Sequence, residues 1–457
     1  MAPWVASEEA DWPAWAAVGD VRPGQAVLVS QNRAGGSMEV IWSDGKASRR
    51  VRGPEASART GWTSRITLDG LPAGQTIDYE VRFSTSSLRG RFRTPPAGSG
   101  VPIRFAWSGD VCGQGWGIDE SRGGMQSFAT LARLEPDFFV HCGDSVYADD
   151  PLPAQRTMAD GSLWRNRLIP EKTRAAISLD DFRGQYRYNL LDVHYRQFLA
   201  RVPVVAQWDD HEVLNNWDEA HHQAWSSPAR QAFLEYWPVS GPQVYRKISY
   251  GPDLDLFVLD LRSYRAPNSH NRQSQPGPET VMLGKQQLEW LKKGLSSSRA
   301  NWKFIAGEMP IGTYDERFGL DNWGNGPGGP LGREWELADL LSFLKNHRVQ
   351  NVVWLCADVH YAAALHYDPS RAVFKDFDPF WEFIAGPLHA GTFPSQKHPL
   401  DPTFGPRMVY DSVTPALKNN RPPSEGLQFF GQVHILGKHC QVSLHRQDGT
   451  SLFSQTL

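Results

Sequence analysis

Five short stretches hold the residues able to do chemistry: Asp110 and Cys112 in SGDVC, Asp144 and Tyr147 in GDSVY, Asp209 to Glu212 in WDDHE, Asp358 and His360 in ADVHY, and His389 in PLHAG. Each follows an apolar run. Carboxylates repel one another and resist desolvation unless something positive meets them. If Asp110, Asp144, Asp210 and Asp358 converge, they require bound cations or raised pKa values. Cys, Tyr and His occur among them, and all three ligate metals, so cations account for the residue types better. The expected partner is metal.

Each residue alone has a plainer reading. An Asp after a strand often caps a helix or shapes a turn. Cys142 and Cys356 lie inside apolar runs and read as packing residues. A disulfide from Cys112 to Cys142 is the alternative to ligation. His221 and His222 read as surface residues, and His389 as a donor to a loop carbonyl. Four acidic turns after four apolar strands are harder to assign to coincidence.

From about residue 103 onward, apolar strands alternate with amphipathic helices, the pattern of a layered α/β domain, in which ligands bind at the carboxyl ends of strands. Helices are expected near 124–134, 284–295 and 333–346, the last with a stripe of Trp335, Ala338, Leu341 and Phe343. Residues 1–95 carry short alternating strands between Gly, Pro, Asp and Ser turns, which predicts a small β-sandwich. There LPAGQTIDYEVRF resembles the approach to a fibronectin type III tyrosine corner, with Tyr79 at the corner. Residues 96–102 read as a linker and 103–457 as the catalytic domain. Three long irregular segments, 148–180, 265–282 and 312–332, suit a substrate rim. GNGPGGPLG lacks the Lys-Ser/Thr ending of a phosphate-binding loop.

The 457 residues carry a formal net charge of −3, which gives no reason to expect nucleic acid as a partner. No apolar run reaches the ~18 residues of a membrane span. The first residues show no signal peptide, and the four cysteines do not make a disulfide framework in a chain of this size. Oligomeric state is not readable. The chain ends in strand-like sequence, with no helix expected across the site.

The four stretches SGDVC, GDSVY, WDDHE and ADVHY, in that order behind a β-sandwich, resemble the alkaline phosphatase D (PhoD-like) family of metallophosphoesterases. The resemblance implies a four-layer αββα domain preceded by a fibronectin-type-III-like sandwich. It implies a first cation, Fe³⁺, held by Asp110, Cys112, Asp144, Tyr147 and His360, and a second, Ca²⁺, held by Asp210 and Asp358, with Asp144 bridging. Thiolate and phenolate suit a trivalent ion, and all-oxygen ligation suits a hard divalent one. The strand WKFIAGEMPIG lacks the His that many superfamily members supply, so Zn²⁺ or Mn²⁺ is the less favoured alternative. His211 is expected to stabilise the transition state or protonate the leaving oxygen. Arg262, at the end of another apolar strand, either clamps phosphate or forms a structural ion pair with Asp260 or a neighbour.

The activity implied is hydrolysis of phosphomonoesters, phosphodiesters or both, on small-molecule or lipid substrates, with a phospholipase D-like phosphodiesterase as the variant reading. A redox iron protein and a calcium-stabilised binding module are the competing classes. Family resemblance implies a periplasmic or secreted protein, and a cytoplasmic one stays open.

Overall fold

The apolar runs ahead of the acidic turns form strands buried on both faces. In the computed structural model, which describes residues 12–83, 87–315 and 321–457, they belong to two stacked sheets. Ile103–Ser108, Phe138–Cys142 and Val204–Gln207 run parallel in a nine-stranded sheet, in register at Ala106↔Phe139 and Val205↔Val140. Leu254–Val258, Trp302–Ala306, Val352–Cys356 and Phe380–Ile384 run parallel in a seven-stranded sheet.

Alternation along each strand divides the core. Ile103, Phe105, Trp107, Phe138 and Val140 face the second sheet. The intervening Ala106 and Phe139 face the helices α1 (Gln126–Leu134), α2 (Leu179–Asn189), α3 (Val193–Leu199) and α4 (Glu219–Tyr236). Between the sheets, Phe105 stacks on Phe138 at 4.8 Å and meets Phe304 edge-on at 5.2 Å. Burying each such ring contributes about 1.5–3 kcal/mol. Helices α5 (Gly284–Ser297) and α6 (Glu334–Asn346) cover the outer face of the second sheet. The layers are therefore helix, sheet, sheet, helix. On α6 the buried stripe is Leu337, Ala338, Leu341 and Leu344, while Trp335 and Phe343 are only half-buried at its sides.

The N-terminal sandwich shares a sheet with the layered domain. Its strands Ala16–Arg22, Gln25–Gln31 and Thr63–Asp69 extend the nine-stranded sheet, joined to it by the parallel pair Gly19↔Val204. A Cβ on Gly19 would fall 2.2 Å from the Val204 carbonyl oxygen and 2.5 Å from Pro238 Cγ, so this junction needs glycine. Asp20 pairs with Arg246 through two 2.7 Å bonds, both side chains buried. The Tyr79 hydroxyl does not close a corner within the sandwich: it donates to the Ala200 carbonyl at 3.0 Å and ties the sandwich to the layered domain. The 96–102 segment is held as well, since Ser99 Oγ and the Gly100 N–H both donate to Asp253.

All four cysteines are free, so no Cys112–Cys142 disulfide forms. Among the described residues no helix is long and apolar enough to cross a membrane. The expectations for residues 1–11, and part of those for 312–332, fall on residues outside the described ones.

Candidate metal centre

The carboxyl ends of both sheets' parallel strands meet at one cleft of about 720 Å³, whose walls include Asp144, Asp210, His211, Asp358 and His360. The acids form three overlapping groups: Asp110, Asp144 and His360; Asp144, Asp210 and His211; and Asp209, Asp210 and Asp358. Within each group one ligand atom per residue lies within 4.8 Å of the others. Asp144 belongs to the first two groups and Asp210 to the last two, which is the arrangement that lets neighbouring cations share a bridging carboxylate.

Sharp turns immediately after the strands make this convergence possible. Asp110, Asp144, Asp358 and His360 have φ values of 66°, 50°, 67° and 62°. Non-glycine residues adopt that region rarely and at a cost, and such strain clusters at functional sites. Two glycines make room. A Cβ on Gly386 would meet Asp110 Oδ2 at 2.2 Å, and one on Gly143 would meet Asp209 Cβ at 2.4 Å.

The hydrogen bonds leave ligand atoms aimed inward. His360 Nδ1–H donates to the Gly391 carbonyl at 2.5 Å, so Nε2 is the free donor atom, 2.8 Å from the Tyr147 hydroxyl and 3.6 Å from Asp110 Oδ1. Asp210 Oδ2 accepts from the Asn216 N–H at 2.7 Å, and Asp144 Oδ1 accepts from the His211 N–H at 3.2 Å. Both Asp110 oxygens, Asp209 Oδ2 and Asp210 Oδ1 are buried and have no hydrogen-bond partner among the described residues. Orphaned buried oxygens are expensive, and cations satisfy all of them together. The donor set therefore fits metal.

Electrostatics point the same way. Burial pushes the Asp110, Asp144 and Asp358 carboxyls well above the usual range, and neighbouring carboxylates add to it. Burial raises Asp209 to about 6, against the pull of the Arg262 charge. Burial also acts upward on Asp210, but the His211 and Arg262 charges outweigh it and leave Asp210 below the carboxylate range. Burial depresses His360 to about 3, so its ring is neutral, as a ligand must be.

Two of the expected residues stand away from the cleft. Cys112 joins none of the three groups. Its turn is pinned by Val111 N–H to the Asp144 carbonyl and Cys112 N–H to the His389 carbonyl, and the side chain packs into the apolar cluster under the helices. Burial there pushes the Cys112 thiol pKa upward. Arg262 does not line the cleft; it is fully buried, bonded to Asp209 at 2.7 Å and Asp321 at 2.9 Å, with only its backbone N–H reaching Asp260. It is a counter-charge behind the acids.

WDDHE divides its labour. Glu212 joins no ligand group but accepts from Ser145 N–H, Ser145 Oγ–H, Asp144 N–H and Asp209 N–H, bracing two of the turns together. His211 Nδ1 faces Asp149 Oδ1 at 2.7 Å, and Asp149 Oδ2 accepts from the Asn215 N–H. Asp149 is absent from the sequence-based expectations, and Asp209 is expected in the acidic cluster without an assigned ligand role; a second acid shortly after Asp144 in GDSVYADD is the signal for Asp149. His389 donates to the Gly117 carbonyl, and His221 is exposed beside Asp218, both outside the cluster.

A family profile described as PhoD-like phosphatase matches residues 105–445. Alkaline phosphatase D of Bacillus subtilis (strain 168) is 28% identical over 362 residues, which cover 71% of this chain and 58% of that protein. The chain thus spans less than two thirds of that relative. Among solved structures, one of PhoD superposes with a TM-score of 0.73 at 19% identity, covering 99% of this chain and 93% of that one. Purple acid phosphatase PPD1 from yellow lupin (Lupinus luteus) superposes with a TM-score of 0.58 at 12% identity, covering 97% and 73%. Both share the four-layer fold, and the profile covers most of the chain that builds the cleft. The chain belongs to the PhoD-like phosphatase family.

Proposed function

We propose that the cleft hydrolyses phosphoric esters, mono- or diesters of small-molecule alcohols and phenols, with two bound cations. The observation that carries this is the line of buried carboxylates whose orphaned oxygens converge beside a protonatable histidine. Asp110, Asp144, Tyr147 and His360 would hold the first cation, and Asp144, Asp210 and Asp358 the second, with Asp209 adjoining. Phenolate, imidazole and carboxylate together suit Fe³⁺, and the all-oxygen set suits Ca²⁺; a Zn²⁺ or Mn²⁺ pair is the alternative. Such cations supply Lewis-acid charge to phosphoryl oxygens and acidify a water.

The chain's own residues manage the proton. Burial works against charge on His211, but Asp149, Asp210 and Asp144 outweigh it and favour imidazolium. With Nδ1–H directed at Asp149, Nε2–H can be delivered to the oxygen of the departing alcohol. Asp149 acts through His211, as a positioning residue. The open cleft is compatible with diesters as well as monoesters. A periplasmic or secreted location belongs to the same proposal by family.

The test is turnover of p-nitrophenyl phosphate and bis(p-nitrophenyl) phosphate by natively loaded protein. Hydrolysis of at least one, abolished by Asp144→Asn, supports the reading. A folded, metal-loaded protein inert toward both overturns it.

A further inference from the structure

With Arg262 withdrawn behind the acids, the cleft wall has a different arginine. Arg156 lies on the two-stranded ribbon Gln155–Thr157/Leu163–Arg165 and lines the same cleft as Asp144, Asp210 and His211. Its guanidinium stacks over Trp116, 4.2 Å from the ring centre, and one Nη donates to the Gln114 carbonyl. Trp116 in turn meets Trp164 edge-on at 5.6 Å, donates to Asn420 Oδ1 at 2.5 Å, and shares a small apolar cluster with Met158 and Trp164. Chain geometry is adapted to it too: Gly115 has φ 84°, and a Cβ there would fall 2.5 Å from Arg156 Nη1.

This cation is held in place but not neutralised. Among the described residues it forms no ion pair; the charge of nearby Asp150 acts on it, but that carboxylate accepts from the Gln114 N–H instead. A planar guanidinium fixed by stacking, with donors left over, is suited to a carboxylate or phosphate. The scissile phosphoryl group belongs at the acid cluster, so a cation on the ribbon wall meets what lies beyond it. We infer that Arg156 recognises a second anionic group, carboxylate or phosphate, carried on the leaving side of the ester. This rests on the phosphoesterase reading. The cleft then selects esters whose departing alcohol is itself an anion.

The test compares phenyl phosphate with 4-carboxyphenyl phosphate, which differ by one carboxylate on the leaving group, using metal-loaded wild type, Arg156→Met and Arg156→Lys. The ratio of kcat/KM for the carboxylated over the plain ester is expected to fall about ten- to a hundred-fold in Arg156→Met, carried by KM, since one charge-assisted contact is lost. Arg156→Lys, which keeps charge without the stacked fork, is expected to fall part of the way. Should Arg156→Met fail to fold, Arg156→Gln makes the same comparison. An unchanged ratio in active variants overturns the assignment and leaves the hydrolase reading standing. A wild type inert to both esters but active on bis(p-nitrophenyl) phosphate overturns the assignment alone, and one inert to all three overturns the two readings together.

Discussion

Replacing Arg262 with Met tests whether it is the buried counter-charge that the structure shows. Its side chain is 0% exposed, and its partners Asp209 and Asp321 are 1% and 10% exposed. Two unit charges ~4 Å apart attract by about 4 kcal/mol at an effective dielectric near 20, so two carboxylates give about 8 kcal/mol gross. Desolvating the guanidinium offsets several kcal/mol of that, and removing one partner of a buried pair costs about 3–5 kcal/mol, because the other charge is left unmatched. Arg262→Met should therefore lower the urea-unfolding free energy by about 3–5 kcal/mol, through the midpoint and not the slope. Adding Asp209→Asn should recover about 2 kcal/mol of it, since the orphaned carboxylate is then gone. A loss below about 1 kcal/mol without coupling to Asp209 would refute this reasoning. A raised KM for phenyl phosphate with stability intact would restore the phosphate clamp.

Cys112→Ala should keep its full metal content, measured by plasma mass spectrometry, because the thiol packs in the core and not at the cluster. Tyr147→Phe should abolish any visible phenolate-to-Fe³⁺ absorption band of the natively loaded protein; a band that persists would remove Tyr147 from the first cation. His141 is buried between Phe139 and Trp237, and burial holds its imidazole at about 3 against an ordinary 6.5. Between those values the unfolded chain binds the extra proton, so stability falls as pH drops from 6.5 toward 3, by up to about 5 kcal/mol at about 1.4 kcal/mol per pH unit. His141→Phe should flatten that slope in urea titrations at successive pH values. Gly19→Ala should cost at least about 1–3 kcal/mol, because overpacked backbone at the sheet junction cannot relax locally.

Much of this architecture was legible because it rests on short-range patterns. Apolar runs such as DFFVHC and NVVWLC are buried strands, and the acids behind them lie where parallel sheets expose their carboxyl ends. Direction within a turn was not legible. Asp110 and Cys112 are two residues apart in similar conformations, yet backbone bonds to Asp144 and His389 send one side chain to the cleft and the other to the core. Nor does adjacency in WDDHE reveal that Asp209 faces Arg262, Asp210 the cleft, His211 Asp149, and Glu212 the neighbouring turn. The shared sheet was hidden for a similar reason: Gly19↔Val204 joins distant parts of the chain, and a local strand pattern carries no record of its partner.

The account depends on cations at the shared acids, and counting them is the direct measurement. Metal analysis of the natively purified chain, with anomalous diffraction to locate each ion, should find two cations sharing Asp144, and Asp144→Asn should lose both while remaining folded. A folded, active protein with no metal at these residues, or an Asp144→Asn protein that retains both ions, would contradict it.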